Sequence, residues 1–211
     1  MAKTSRYASM SRRAALTAAA LAAMTALAGC NQGGGGAVEG DMARGAAEGA
    51  AVTVVEYASV TCGACAAWHD QVWPEFKAKY VDTNKVRFIF REFPTPPQDV
   101  AVAGFLVARC AGEDKYFEVI GQIMASQREW QAGVSPRESL IRVAHAAGLS
   151  NQQFEDCVRD QDAIKAMESR IRAAMDAGVS GTPTFMINGR QAPDNSLDGL
   201  SQVIDAELAK G

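Results

Sequence analysis

The segment Val52-Thr53-Val54-Val55-Glu56-Tyr57 runs through four further residues into Cys62-Gly63-Ala64-Cys65, and a helical pattern begins at once. Two thiols therefore sit at a strand-to-helix turn. Backbone N–H groups at a helix start are unpaired and carry the positive end of the macrodipole, so a sulfur placed there is favoured as thiolate, the nucleophilic form. Cys62 falls in the open first turn and Cys65 one turn further in, close enough to close a small disulfide ring. One attacks and the other resolves. The strand before them alternates Val52, Val54 and Glu56 on one face with Thr53, Val55 and Tyr57 on the other. Apolar residues on both faces predict a central strand covered on both sides.

Working outward, the helix from Cys65 carries Trp68, Val72, Phe76 and Tyr80 at roughly helical spacing, and Pro74 is expected to kink it. Val86 to Phe90 alternates as a second strand, closed by Pro94, Pro96 and Pro97. From Gln98 to Ala177 every segment reads helical. Ser135-Pro136-Arg137-Glu138 has the form of a capping box with proline at the first helical position, Gly148 supplies a left-handed stop, and Ser150 with Gln153 opens another helix. Ile164, Met167, Ile171 and Met175 form an apolar stripe that reads as core. Strand chemistry returns at Thr184 to Ile187, followed by Asn188-Gly189, a hairpin turn signal, and Leu197 to Leu208 is an amphipathic helix.

The first 29 residues stand apart. Lys3, Arg6, Arg12 and Arg13 precede an uncharged Ala/Leu-rich segment from Ala14 to Ala28, the form of an export signal. That segment is shorter than the roughly 20 residues a membrane span needs. It ends in Leu27-Ala28-Gly29-Cys30, which resembles a bacterial lipobox, so Cys30 is a candidate for lipidation and membrane anchoring. The plainer reading is an ordinary cleaved signal with an incidental cysteine. Ser11-Arg12-Arg13 also resembles a twin-arginine start, and the export route stays open. Residues 30–50, with glycine at 33 to 36 and no aromatic side chain, have the composition of a flexible tether. The organisation expected is thus 1–29 signal, 30–50 lipid site and tether, 51–97 with 178–211 one domain, and 98–177 a helical domain inserted into it.

The net charge of −3 becomes −7 once the four basic side chains of residues 1–29 are removed. An acidic surface without a basic run argues against nucleic acid as a partner. Setting Cys30 aside leaves four cysteines, an even number that in an exported chain suggests paired thiols in an oxidising space. Cys62 with Cys65 leaves Cys110 with Cys157. Both lie on apolar helical faces, away from the electropositive setting that reactivity needs, so a structural disulfide is favoured over a second redox pair. No metal is expected: zinc needs about four ligands, only one cysteine pair is local, and His69 and His145 are the sole histidines.

Taken together, Cys62-Gly63-Ala64-Cys65, Gly181-Thr182-Pro183-Thr184 and the helical block between them resemble the DsbA family of thioredoxin-like thiol:disulfide oxidoreductases. The similarity covers about Val52 to Leu208 and includes Glu56 six positions before Cys62, Arg109-Cys110, Phe154 to Cys157, and Phe185 to Gly189. It implies an α/β, thioredoxin-like fold with an all-helical domain inserted between the second strand and a cis-proline loop. It also implies a surface nucleophile at Cys62 and a cis bond at Pro183, with the backbone of Thr182 free to pair with an extended substrate strand. By the same resemblance Glu56 is a candidate to accept the proton that Cys65 must lose, against the plainer reading of a solvated carboxylate or one paired with Lys85, Arg87 or Arg91.

The implied partners are unfolded exported polypeptides with free thiols, and for recycling a membrane oxidase that passes electrons to quinone. No cofactor is implied. The sequence departs from the best-known oxidases of the family at Gly63-Ala64, where those carry proline and a histidine that stabilises the thiolate, so a milder oxidant is expected. A disulfide isomerase or reductase shares the same chemistry. A non-catalytic module that grips unfolded chains is the alternative of another class, and there loss of the Cys62 sulfur would leave function intact.

Overall fold

The structure, a computed structural model, describes residues 38–210. The segment expected to be an export signal, Cys30 and the glycine run at 33 to 36 lie outside the described residues. A five-stranded sheet has the order β1-β3-β2-β4-β5, with β1 Met42–Gly45, β2 Thr53–Ala58, β3 Arg87–Glu92, β4 Thr184–Ile187 and β5 Arg190–Gln191. β2 is central, parallel to β3 and antiparallel to β4. Its alternation sorts as the residue pattern requires: Val52 and Val54 join Phe88 and Phe90 in the main core on one face, while Val55, Tyr57, Ile89 and Met186 pack with Ala174 and Val179 on the other. The α/β thioredoxin-like class with a helical insertion is the fold observed.

The helix after the cysteines is broken in the way proline dictates. α1 spans Gly63–Gln71, and α2, Trp73–Phe76, restarts with Pro74 in its first turn before passing into a π-helical turn over Lys77–Val81. A proline cannot donate to the carbonyl four residues back, so the α1 ladder ends ahead of it. Phe76 and Tyr80 stay fully buried through the change of geometry. The inserted block comprises α3 Gln98–Cys110, α4 Glu113–Gln131, α5 Pro136–Ala146, α6 Asn151–Arg159 and α7 Gln161–Asp176, and α8 Leu197–Leu208 closes the chain. α4 packs directly on α1, so the insertion touches the helix that carries Cys65.

Four sequence expectations need correction. The stretch 30–50 is not tether throughout, because Met42–Gly45 forms an edge strand antiparallel to β3, pairing Met42 with Phe90 and Gly45 with Arg87. The strand exists because β3 offers an open edge and Arg91 grips Asp41 through two hydrogen bonds of 2.7 and 2.8 Å. Gly45 ends it at φ +85°, where a Cβ would stand 2.4 Å from the Val86 carbonyl oxygen, so only glycine fits. Next, Ser135 is the N-cap of α5 with proline following, but its side chain makes no capping hydrogen bond; the Ser150–Gln153 capping box is complete.

Thirdly, the stripe on α7 is core only in part. Met167 is buried, but in the last turn the buried position is Ala174, and Met175, turned about 100° from it, is 59% exposed. Lastly, Cys110 is exposed rather than set on an apolar face, although Cys157, its disulfide partner, is buried. Cys110 is the last residue of α3, where the helix leaves the core.

Candidate active site

β2 delivers the chain to a turn that polar side chains hold in shape. Ser59 and Thr61 hydroxyls lie 2.9 Å apart, Thr61 donates to the Thr95 carbonyl at 2.7 Å, and the Thr95 N–H donates to Ser59 at 3.1 Å. Cys62 then stands as the N-cap of α1. Its Sγ accepts the Cys65 N–H at 3.1 Å, the place a capping serine oxygen takes in ordinary helices. On its other side Sγ is 3.6 Å from the Thr182 carbonyl oxygen, and the Thr182–Pro183 bond is cis. A second cis bond, Pro96–Pro97, precedes α3. Cys62 is half-buried and Cys65 fully buried; both are free thiols.

This placement separates the two sulfurs electrostatically. The hydrogen bond from the Cys65 thiol does most to hold Cys62 down, from the ordinary thiol value of 9.0 to about 6. Burial opposes that shift, and contacts to Thr182 and to the N–H groups of Cys65 and Ala64 assist it. Cys65 is pushed up, first by giving its hydrogen to Cys62 and next by burial. One sulfur is therefore a thiolate at neutral pH and its neighbour a proton-bearing thiol. Such a pair is able to exchange disulfides, with the outer sulfur placed to form a mixed bond and the inner one to close the ring.

The sequence profile described as Thioredoxin matches residues 37–206. A chain named as a protein-disulfide oxidoreductase in Rickettsia typhi is 32% identical over 159 residues, 74% of this chain and 58% of that one. Crystallised alpha-DsbA1 of Wolbachia pipientis superposes with a TM-score of 0.74 at 26% identity, over 82% of this chain and 94% of that one. The chain belongs to the DsbA-like family of thioredoxin-fold protein-disulfide oxidoreductases. It spans roughly three fifths of the length of the rickettsial relatives it matches. BdbD of Bacillus subtilis in its oxidised form, at 18% identity, shares the fold with a TM-score of 0.70 over 85% of this chain and 98% of that one.

Within this DsbA-like frame the structure brings to the site two residues that the sequence did not place there. Gln127, buried on α4, donates its side-chain amide to the carbonyls of Val60 at 2.7 Å and Cys62 at 3.2 Å. The helical insertion thereby holds the backbone of the turn that carries Cys62. No local signal marks that residue, since its partners lie more than sixty positions away and only tertiary packing joins them. His69 is the second. Its Nε2 lies 2.9 and 3.1 Å from the two carboxylate oxygens of Glu56, which is fully buried. Glu56 is thus neither solvated nor paired with Lys85, Arg87 or Arg91. A signal for this partner existed: Glu56 shares its face with Val52 and Val54, the face α1 covers, and His69 lies one turn beyond Cys65.

A second ion cluster lies at the end of β3. Buried Glu92 accepts from Arg109, from Arg170 at 3.3 Å and from the Tyr116 hydroxyl at 3.3 Å. It ties α3, α4 and α7 to the sheet. Among the described residues no three His, Cys, Asp or Glu side chains converge as a metal centre requires.

Proposed function

We propose that this chain is exported and forms disulfides in unfolded polypeptides by dithiol exchange through Cys62 and Cys65. A substrate thiolate attacks Cys62 of the oxidised pair, a mixed disulfide forms, and a second substrate thiol displaces the enzyme in its reduced state. The observation that carries this reading is the pairing of sulfurs: Cys62 Sγ capping α1 with the Cys65 N–H at 3.1 Å, and a sealed, protonated Cys65 behind it. Thr182 and Pro183, beside Cys62 Sγ, form the platform for an extended substrate segment. A membrane oxidase that passes electrons to quinone is the recycling partner this reading requires.

The strength of the oxidant follows from Cys62. A folded value of about 6, against 9.0 for an ordinary thiol, adds no stability to the reduced protein below pH 6. The contribution grows between pH 6 and 9 and is complete above that range. A stabilised thiolate makes the disulfide more oxidising. Strong oxidants of the superfamily hold this thiol near about 3.5, and thioredoxin near about 7. The expected potential therefore lies between roughly −270 and −120 mV. Equilibration with a glutathione buffer measures it, and alkylation of Cys62 should be half-maximal near pH 6. A potential at or below the thioredoxin end would make the chain a reductase and end the oxidase reading.

Cys30 is proposed as an acylation site that anchors the exported protein to the membrane. The wild type should then sediment with membranes and a Cys30→Ser variant should be soluble. A fully soluble wild type removes the anchor.

A further inference from the structure

Among the described residues, Glu56 and Glu92 are carboxylates exposed by 2% or less, and they are partnered in opposite ways. Glu92 is clamped by two guanidinium groups, Arg109 and Arg170, which keep their charge at any pH the protein meets. Glu56 has instead the imidazole of His69 as its hydrogen-bond partner. Imidazole is the side chain that takes up and releases protons near neutrality. Glu56 has no exposed surface and sits near enough to Cys65 to disfavour its thiolate. His69 borders a cleft of about 340 Å³ between α1 and α4, lined also by Gly63, Ala66, Asp70, Gln127 and Arg128. A proton that reaches Glu56 from outside has this imidazole in its way.

We propose that His69 is the proton conduit between that cleft and the buried sulfur of the redox pair, working through Glu56. The proposal rests on the oxidoreductase reading above and adds a positioning residue to it. When a substrate thiolate attacks the oxidised pair, a bond forms from the substrate sulfur to Cys62 and the Cys62–Cys65 bond breaks. Cys65 leaves with the electron pair as a thiolate. The Glu56–His69 pair delivers a proton to it, and His69 is reprotonated from the cleft. In the reverse direction Cys65 gives its proton to Glu56, the proton departs through His69, and Cys65 attacks Cys62 and expels the substrate thiolate. Electrons and protons balance in both directions with solvent as the only reservoir.

The titratable and charged groups around His69 come from three elements: Glu56 on β2; Cys65 and Asp70 on α1; and Arg128 on α4. Asp70 and Arg128 pair with each other at 2.6 Å, and the remaining close neighbours are the rings of Trp68, Trp73 and Phe90. Glu56 and His69 are thus the pair able to hand a proton inward.

The test is the release of glutathione from a Cys62–glutathione mixed disulfide as Cys65 attacks it, followed from pH 5 to 9. The proteins are wild type, Glu56→Gln, His69→Gln and the double variant. Glutamine at position 69 retains a hydrogen-bond donor for Glu56 but exchanges no proton. Each single variant should slow release about tenfold at pH 7, less than full general acid–base catalysis because water supplies a slower route. The double variant should be no slower than the slower single, and the alkylation profile of Cys62 should stay as in the wild type. A His69→Gln protein with wild-type rate and pH profile overturns the proposal, as does slowing that multiplies with that of Glu56→Gln. If the glutamine variant fails to fold by circular dichroism, His69→Asn replaces it, with the same expected and overturning results. A wild type that forms no mixed disulfide with glutathione would instead remove the oxidoreductase reading, so the two failures are distinct.

Discussion

A Cys62→Ser variant is expected to lose thiol–disulfide exchange by a factor on the order of 10³ or more while keeping its fold and its melting temperature. A hydroxyl is far too weak an acid to be a nucleophile in this setting. Serine is nevertheless a preferred N-cap, so the Cys65 N–H that now meets sulfur at 3.1 Å keeps an acceptor. Stability and activity should therefore part company. Cys65→Ser should behave differently: the outer thiol remains, the resolving thiol is gone, and mixed disulfides with substrate accumulate on Cys62. Mass spectrometry of each variant after incubation with a reduced, unfolded substrate reads both outcomes. Adducts on Cys65 in the Cys62→Ser protein, or retained exchange, would show that the sulfur at the helix tip is not the reacting one. Retained function without exchange would favour the binding-module reading.

Removing the second disulfide should do the opposite. Cys110 and Cys157 join the end of α3 to α6 across a sequence separation of 47. In the chain-entropy treatment a loop of that length confers about 4 kcal/mol by restricting the unfolded chain. The double variant Cys110→Ala/Cys157→Ala should lose up to that amount, seen as a melting temperature lower by about 10 °C for a chain of this size. Exchange through Cys62 should be unchanged at temperatures where both proteins are folded. Calorimetry and the glutathione exchange rate decide together: altered exchange at an unaltered melting temperature would make this pair a redox element rather than a staple.

Much of this architecture was legible because the sequence announces it locally. Strong alternation fixed β2 and β3 to within a couple of residues, the punctuation at Gly148, Ser150 and Gln153 marked real helix ends, and the two cysteines could only fall at a strand-to-helix turn. What escaped depends on distant partners. The four residues of β1 are Met, Ala, Arg and Gly, and only Met42 is buried, so nothing in their pattern separates a strand from a linker. Their order comes from the free edge of β3 and from Arg91, neither visible nearby. Met175 continues the spacing of Ile164, Met167 and Ile171, but the last turn of α7 meets the sheet through Ala174, and periodicity cannot report which of two adjacent positions the partner surface takes. Gln127 and the imidazole of His69 gain their significance only when α4 and β2 are laid against α1.

The register of β1 also settles which end of the sheet receives the preceding chain. Met42 lies beside Phe90, near the carboxyl ends of the two parallel strands, and that is the end from which β2 leads into Cys62. Val38, the first described residue, therefore enters the sheet from the pole that also carries Cys62.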